Sequence, residues 1–390
     1  MIMALTHSIR GQINPFIVMD MMREANLLES RGVEVLHLEV GQPSTAAPTG
    51  VLQAAKQKII TDRLGYTDAL GIPHLRKRIT EHYNTKYGLS LSSDRVVVTT
   101  GSSAGFMLTF LSAFDAGDSV AVATPGYPAY RNILNALGIN VVEIPCFQED
   151  GYKITPAVLD KIHRPIDGLI VASPANPTGT MLTADDLSAV VSYCEDRKIR
   201  LISDEIYHGI TYGLAETTTL SFTENAFIIN SFSKYYSMTG WRVGWVVVPE
   251  KLLRSVECLA QNLYISVPAL SQHAACAAFD CTQELDENIH RYRVNRDFLL
   301  SQLPNIGVDQ IAPADGAFYL YANVAKFTNN SVDFSRRLLR DTGVAIAPGV
   351  DFDQDTGHLS IRLSFSGETE TIVRGVSRFG DWVSKLNPKI

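Results

Sequence analysis

Chemically useful side chains follow five of the short apolar runs in the middle of the chain. In chain order they are the small-residue turn 100–105, Tyr127, Asn176, Asp204 and Lys234. A turn of glycine and serine that opens a helix presents free backbone N–H groups, which suit a phosphate. Taken singly, each feature has a simpler explanation: helix capping for the turn and for Asp204, and a solvated amine for Lys234. Together they are residues that a cofactor site would use.

The apolar runs themselves predict the elements that hold these side chains. They are short, rich in valine and isoleucine, and mostly continuous, which is typical of strands buried on both faces of a mostly parallel sheet. Ligands bind outside the carboxyl ends of such strands. A helix over 183–197 is predicted to begin at Thr183, with Asp185 and Asp186 in its first turn. The seven predicted strands are 96–99, 120–123, 141–144, 169–172, 199–203, 226–230 and 243–248.

From about residue 285 the pattern changes to a smaller α+β unit. A long amphipathic helix is followed by predicted segments at 317–321, 332–342, 344–347, 361–365 and 368–386. The first forty-odd residues carry no sheet pattern, so we expect them to pack with this unit. The predicted division is therefore a large domain over 46–284 and a small domain over 1–45 and 285–390.

Composition and charge exclude several classes of protein. A net charge of −7 across 390 residues, with no basic run, argues against a nucleic-acid or membrane partner. The five cysteines are scattered without a CxxC spacing, and the nine histidines show no metal-binding spacing, so neither disulfides nor a metal is expected. No run is long enough to cross a bilayer. We expect a cytoplasmic enzyme.

The motifs, in combination, resemble those of one enzyme family. Ser-Phe-Ser-Lys at 231–234, followed by Gly-Trp-Arg-Val-Gly at 240–244, resembles the pyridoxal-phosphate (PLP) attachment signature of the class I/II aminotransferases. Asn-Pro-Thr-Gly at 176–179 and Asp-Glu-Ile-Tyr at 204–207 are similar to its other central motifs. The resemblance extends from about residue 35 to beyond 365, through segments 41–43, 66–67, 71–76, 347–349 and 361–363. It implies PLP fold type I: a mostly parallel seven-stranded sheet with helices on both faces, plus a smaller α+β domain.

The resemblance also implies a role for each cofactor-binding residue. Lys234 would hold PLP as an internal aldimine and move the proton at the substrate Cα. Asp204 would pair with the ring nitrogen, while Asn176 and Tyr207 would hydrogen-bond the phenolic oxygen. Tyr127 would stack on the ring. The phosphate would be held by Ser102, Ser103, Ala104, Ser231 and Arg242.

For the substrate, the resemblance implies a carboxylate clamp and a shared site. Arg362 would bind the α-carboxylate, with Gly41 and Asn176 beside it. Tyr66 would reach the phosphate of a neighbouring subunit, which implies a homodimer. The reaction would be ping-pong transfer of an amino group from an L-α-amino acid to a 2-oxo acid.

Dicarboxylate-preferring relatives often carry lysine where this chain has Ser103, which leaves an aspartate or glutamate preference in doubt. Tyr66, Tyr127 and Phe318 could instead suit a neutral side chain.

Three alternatives compete with transamination. A PLP-dependent C–S β-lyase could use the same fold, because fold alone does not select the reaction. The Ser-x-x-Lys spacing of 231–234 also occurs in penicillin-binding acyl enzymes, but their SDN and KTG partners are missing. A PLP-binding transcription regulator would need a DNA-binding extension, which the sequence before the motifs is too short to supply. Only the lyase remains open.

Overall fold

The computed structural model describes residues 7–386, and its centre is a seven-stranded sheet. The strands are β1 (Leu36–His37), β2 (Val96–Thr99), β3 (Ser119–Thr124), β4 (Asn140–Pro145), β5 (Gly168–Ala172), β6 (Arg200–Asp204), β7 (Phe227–Ser231), β8 (Gly244–Val247), β9 (Tyr319–Asn323), β10 (Val344–Ala345), β11 (Ala347–Pro348) and β12 (Ser360–Ser364).

Helices connect most of these strands. They are α1 (Ile17–Glu29), α2 (Thr49–Thr61), α3 (Pro73–Tyr87), α4 (Ser102–Ala113), α5 (Pro128–Leu137), α6 (Pro156–Leu159), α7 (Ala184–Arg197), α8 (Leu253–Leu263), α9 (Ala269–Ala278), α10 (Thr282–Gln302), α11 (Ser331–Thr342) and α12 (Thr369–Val383). Within residues 7–386 none of them is long and apolar enough to span a membrane. A cytoplasmic location stays a prediction.

The central sheet has the order β2-β8-β7-β6-β5-β3-β4, and every predicted run falls on one of its strands. β8 runs opposite to the other six strands of this sheet and pairs antiparallel with β2 and β7. Successive residues alternate between two cores: Leu169 and Val171 pack on one face with α2, α3, α7 and α9, whereas Ile170 packs on the other with α4, α5 and α8. The sheet is therefore covered on both faces, which explains its continuous apolar runs. The predicted α/β fold is confirmed.

The C-terminal part contains two small sheets around a separate core. Antiparallel strands in the order β11-β12-β9 form one sheet, and β1 pairs with β10 in the other. The predicted segment 344–347 is thus two strands rather than one, because β10 and β11 pair with different partners on either side of Ile346. The proposed domain boundaries remain a prediction, and the parts of them at 1–6 and 387–390 lie outside the described residues.

Helix α7 begins as the sequence predicts. The Thr183 side chain accepts a hydrogen bond from the Asp186 N–H (3.1 Å), and the Asp186 carboxylate accepts one from the Thr183 N–H (3.1 Å). This reciprocal capping box satisfies two backbone donors that the helix itself cannot pair. Lys153 donates to the same carboxylate at 2.9 Å and ties the helix start to the loop before α6.

Replacing Thr183 with alanine should destabilise the protein. Loss of the capping oxygen is expected to lower the free energy of unfolding by about 1 kcal/mol, seen as a thermal midpoint about 1–2 °C lower. Thr183→Ser keeps the oxygen and is the matched control. Equal midpoints for the alanine and serine variants would contradict the capping role.

Candidate functional site

A cavity of about 550 Å³ lies at the carboxyl ends of β5, β6 and β7, where the sequence predicts the site. Three strand ends supply Ala172, Asp204 and the Ser233–Lys234 pair to its wall. The predicted residues that line it are Gly41, Ser102, Ser103, Tyr127, Asn176, Asp204, Tyr207, Lys234, Arg242 and Arg362. Residues more than three hundred positions apart in sequence therefore converge on one space.

Lys234 follows β7 and projects its amine into the cavity. Its Nζ donates a hydrogen bond to the Gly41 carbonyl at 2.5 Å. Burial lowers the pKa of the Lys234 amine to about 8, and the positive charges of Arg362 and Arg242 add to this, against the opposing effect of Asp204. A lowered pKa increases the neutral fraction near pH 7, and the neutral amine is the form that attacks a carbonyl.

Asp204 ends β6 and is 4% exposed. One carboxylate oxygen accepts the Ile206 N–H at 3.1 Å, and the other accepts the hydroxyl of Tyr130. Burial raises the pKa of Asp204 to about 6, although these two hydrogen bonds oppose the shift. A cationic nitrogen brought beside this carboxylate would favour its charged form.

Tyr130 was not among the predicted site residues, yet it holds Asp204 in place. It lies in the first turn of α5, three positions after the N-cap residue Tyr127, and the two ring centroids are 5.3 Å apart. That spacing was a usable signal in the sequence. The two tyrosines together cover one side of the cavity.

The start of α4 and Arg242 form a cradle suited to an anion. Gly101, the N-cap, has φ of +81° and supplies no capping side chain, so the first N–H groups of α4 are not capped by one. A Cβ at Gly101 would lie 2.5 Å from the Arg242 guanidinium, and one at Gly244 would lie 3.1 Å from the Ser102 nitrogen. The cradle therefore requires glycine at both positions.

Three predicted residues lie outside the cavity wall. Ala104 belongs to the first turn of α4 but does not line the cavity. The Ser231 hydroxyl accepts the Ser233 N–H and lies 3.1 Å from the Val243 carbonyl, whereas Ser233 lines the cavity. Tyr66 is 84% exposed on the surface of the chain.

Arg362 on β12 is a buried cation with spare donors. Its Nη1 donates to Asn176 Oδ1 at 3.0 Å and its Nη2 to the Glu39 carbonyl at 2.5 Å. The guanidinium lies between the rings of Tyr319 and Phe352, 4.2 and 4.7 Å from their centroids. Within the described part of the chain its Nε has no hydrogen-bond partner. A buried guanidinium with unused N–H groups suits a carboxylate ligand.

Tyr319 is the second residue that the sequence reasoning missed. The sequence drew attention to Phe318, which is fully buried in the C-terminal core, whereas its neighbour Tyr319 lines the cavity. Phe318 lies close to the site without lining the cavity: its ring centroid is 5.6 Å from that of Tyr207 and 5.8 Å from Lys234 Nζ. The Tyr319 hydroxyl lies 2.9 Å from that of Tyr207, and burial raises the pKa of both phenols, which keeps them neutral.

Helix α1 supplies an apolar wall, also unforeseen. Phe16, Val18, Met19 and Met22 all line the cavity. The helix has no local side-chain cap; instead Asp351, from a short 3-10 turn after β11, accepts the N–H groups of Ile17 (3.1 Å) and Val18 (2.9 Å). This distant cap fixes the start of the wall against the C-terminal part of the chain.

Comparison with known proteins identifies the family. The model of the aminotransferase class I and II family matches residues 33–379. The chain belongs to this family. It is 48% identical to a valine–pyruvate aminotransferase of Mycobacterium tuberculosis, covering 96% of this chain and 98% of that relative. It is 32% identical to a (5-formylfuran-3-yl)methyl phosphate transaminase of Methanocaldococcus jannaschii, covering 95% and 97%.

Solved structures agree. An aminotransferase from Mycobacterium tuberculosis superposes with a TM-score of 0.95 at 48% identity, covering 97% of this chain and 99% of that one. Thermus thermophilus aspartate aminotransferase with maleate gives a TM-score of 0.90 at 27% identity, covering 96% and 99%. The chain is thus an aminotransferase. The comparisons give the lyase alternative no support.

Members of this family depend on PLP, and the residues of the cavity fit that cofactor. The α4 cradle with Arg242 could hold the phosphate, Asp204 the ring nitrogen, and Lys234 the aldehyde carbon. The orphaned Nε of Arg362 leaves a donor for a substrate carboxylate. Each charged group of the ligand therefore meets an opposite charge or a free donor.

The lowered pKa of Lys234 predicts how PLP attachment depends on pH. Because only the neutral amine reacts, attachment of PLP to the apoprotein should accelerate about tenfold per pH unit up to about pH 8 and then level off. N-acetyl-lysine in the same buffers, with an ordinary pKa near 10.4, should keep accelerating. Absorbance of the covalent product gives both rates. A protein rate that follows free lysine up to about pH 10 would contradict the shift.

Proposed function

We propose that this aminotransferase takes L-α-amino acids with neutral, apolar side chains and passes the amino group to a small 2-oxo acid such as pyruvate. The observation that carries the proposal is the α1 wall of Phe16, Val18, Met19 and Met22, which faces the cavity. Among the described residues lining the cavity, the only cations are Lys234, Arg242 and Arg362.

In the proposed site, each of these three cations already interacts with another group. Arg242 serves the phosphate, Lys234 the reaction and Arg362 the α-carboxylate. A second carboxylate on the substrate side chain would enter an apolar wall without a partner, which is costly. Ser103, where dicarboxylate-preferring relatives often carry lysine, adds no charge. The name of the 48% identical relative, valine–pyruvate aminotransferase, supports the same class of substrate.

The proposed roles follow from the contacts. Bound PLP supplies an electron sink for negative charge at the substrate Cα. Asp204, held by Tyr130, keeps a proton on the ring nitrogen, and Tyr127 covers the ring. With the cofactor bound, Lys234 Nζ would take up and release the proton at the substrate Cα, because its lowered pKa suits both directions of transfer.

Two further groups orient the reactants. Arg362, fixed by Asn176 and by the Glu39 carbonyl, binds the α-carboxylate. Asn176 and Tyr207 hold the phenolic oxygen of the cofactor, and Gly41 leaves room for the substrate. Both rings around Arg362 keep water away, which strengthens its attraction for the carboxylate.

We also propose that the enzyme is a homodimer in which Tyr66 completes the phosphate site of the partner. Support comes from exposed apolar side chains near the start of α9. Two contacts bring the segments that carry them together: the Thr67 N–H donates a hydrogen bond to the Ser266 hydroxyl at 3.4 Å, and an Asp62 carboxylate oxygen lies 3.5 Å from His273 Nε2. Large exposed apolar groups in one region are typical of an interface. They are Ile59, Ile60, Tyr66, Leu263 and Ile265.

A panel of amino donors tests the substrate class. With pyruvate as acceptor, kcat/KM for valine should exceed that for aspartate about tenfold or more, because the second carboxylate loses its solvation without gaining a partner. Ser103→Lys should raise kcat/KM for aspartate, whereas Ser103→Met, of similar length without the charge, should not. Equal values for aspartate and valine in the wild type would contradict the proposal.

The Lys234→Ala variant tests where PLP attaches. It should lack the PLP absorbance that borohydride reduction makes permanent in the wild type.

Mixed dimers test the shared site. Tyr66→Ala and Lys234→Ala should each be almost inactive, but co-expressed chains should form hybrids in which one site has both wild-type residues. About a quarter of wild-type activity is expected at equal expression, since half of the dimers are hybrids with one intact site each. The Lys234→Ala homodimer is the control. No gain in the purified hybrid would show that Tyr66 does not act across an interface.

A further inference from the structure

Tyr319 touches three groups to which the proposed function gives a role. Its hydroxyl lies 2.9 Å from the Tyr207 hydroxyl, its ring lies under the Arg362 guanidinium at 4.2 Å, and it borders Gly41. We propose that Tyr319 is a positioning residue that directs the hydroxyl proton of Tyr207 toward the cofactor. The inference rests on the proposed function, in which Tyr207 binds the phenolic oxygen of PLP.

The direction of the proton follows from counting donors. Each phenol carries one proton and can accept further hydrogen bonds. Among the described residues, Tyr207 is the hydrogen-bond partner that the Tyr319 hydroxyl meets. If Tyr319 donates its proton to the Tyr207 oxygen, the Tyr207 proton is left free to point into the cavity. Tyr207 then donates its proton to the phenolic oxygen of a bound cofactor, while it accepts the proton of Tyr319.

The surroundings of Tyr319 favour it as the donor of the pair. Burial raises the pKa of Tyr319, while the Arg362 charge over its ring and the hydrogen bond with Tyr207 oppose that shift. Burial also raises the pKa of Tyr207, and although Arg362 opposes the shift there too, contact with Tyr319 raises it further. The more acidic phenol donates more strongly, and a chain of hydrogen bonds strengthens each member.

The position of the Tyr319 hydroxyl is set by packing and by a glycine. The residue is 1% exposed, and its ring meets those of Tyr207 and Phe318 edge to face, at 5.7 and 4.9 Å. A Cβ on Gly41 would lie 1.9 Å from the Tyr319 hydroxyl oxygen. Only glycine at position 41 therefore leaves the hydroxyl where Tyr207 can accept its proton.

The test is the pH dependence of the visible absorbance of the holoenzyme. A hydrogen bond from Tyr207 stabilises the ionised phenolic oxygen of PLP, so losing it should raise the pH at which the bound cofactor loses its proton. Tyr319→Phe keeps the ring under Arg362 and removes only the hydroxyl. It should raise the transition by about half to one pH unit, in the same direction as Tyr207→Phe.

A double variant separates a positioning role from an independent one. Because Tyr319 acts through Tyr207, the Tyr207→Phe/Tyr319→Phe protein should titrate like Tyr207→Phe alone. Tyr321→Phe, on the same strand but outside the cavity wall, is the matched control and should titrate like the wild type. Gly41→Ala, which displaces the Tyr319 hydroxyl without removing it, should shift the transition upward as well.

Three results would overturn the inference while the proposed function stands. One is a Tyr319→Phe transition equal to that of the wild type when Tyr207→Phe is shifted. Another is a shift in the double variant equal to the sum of the single shifts. The third is a Tyr319→Phe effect confined to KM for the amino acid. A wild-type protein without any PLP absorbance would instead overturn the proposed function, and the inference with it.

Discussion

The buried guanidinium of Arg362 joins three parts of the chain at one point. It reaches the large sheet through Asn176, the N-terminal segment through the Glu39 carbonyl, and its own C-terminal unit through Tyr319 and Phe352. A charge that is only 2% exposed must be compensated, and here backbone, amide and ring faces share that task. The proposed substrate clamp is thereby also a structural junction, so movement of any of the three parts would displace it.

The balance of charge in the cavity explains the unusual amine. Lys234, Arg242 and Arg362 face Asp204, the single carboxylate among the described residues that line the cavity, so the lining carries excess positive charge. Burial is the main cause of the lowered pKa of Lys234, and the charges of Arg362 and Arg242 add to it. The ligands of an aminotransferase reverse the imbalance, because the phosphate and the α-carboxylate are both anionic. One electrostatic arrangement thus both activates the amine and attracts the molecules on which it acts.

Much of the fold and of the site could be predicted from the sequence, because both depend on a local pattern. Continuous apolar runs mark strands buried on two faces, and the residues that follow them meet at one edge, so Asp204 and Lys234 could be placed together. Tyr130 had such a signal in its spacing from Tyr127, but the other missed residues lack one. Phe318 and Tyr319 are adjacent aromatic residues that both pack on Tyr207, and only Tyr319 lines the cavity. Asp351 caps a helix more than three hundred residues earlier. Contacts of this kind depend on how distant elements dock, which no local spacing encodes.

One short segment couples the two kinds of substrate recognition. Asp351 holds the start of α1, whose apolar residues form the wall, and the next residue, Phe352, stacks on the guanidinium that would bind the carboxylate. Gly126 N–H also donates to the Phe352 carbonyl at 2.9 Å, which ties this segment to the loop that carries Tyr127. The proposed side-chain wall, the proposed carboxylate clamp and the loop that carries Tyr127 are therefore all held by residues 351–352. In the proposed function, recognition of the substrate side chain and orientation of its α-carboxylate depend on the same contacts.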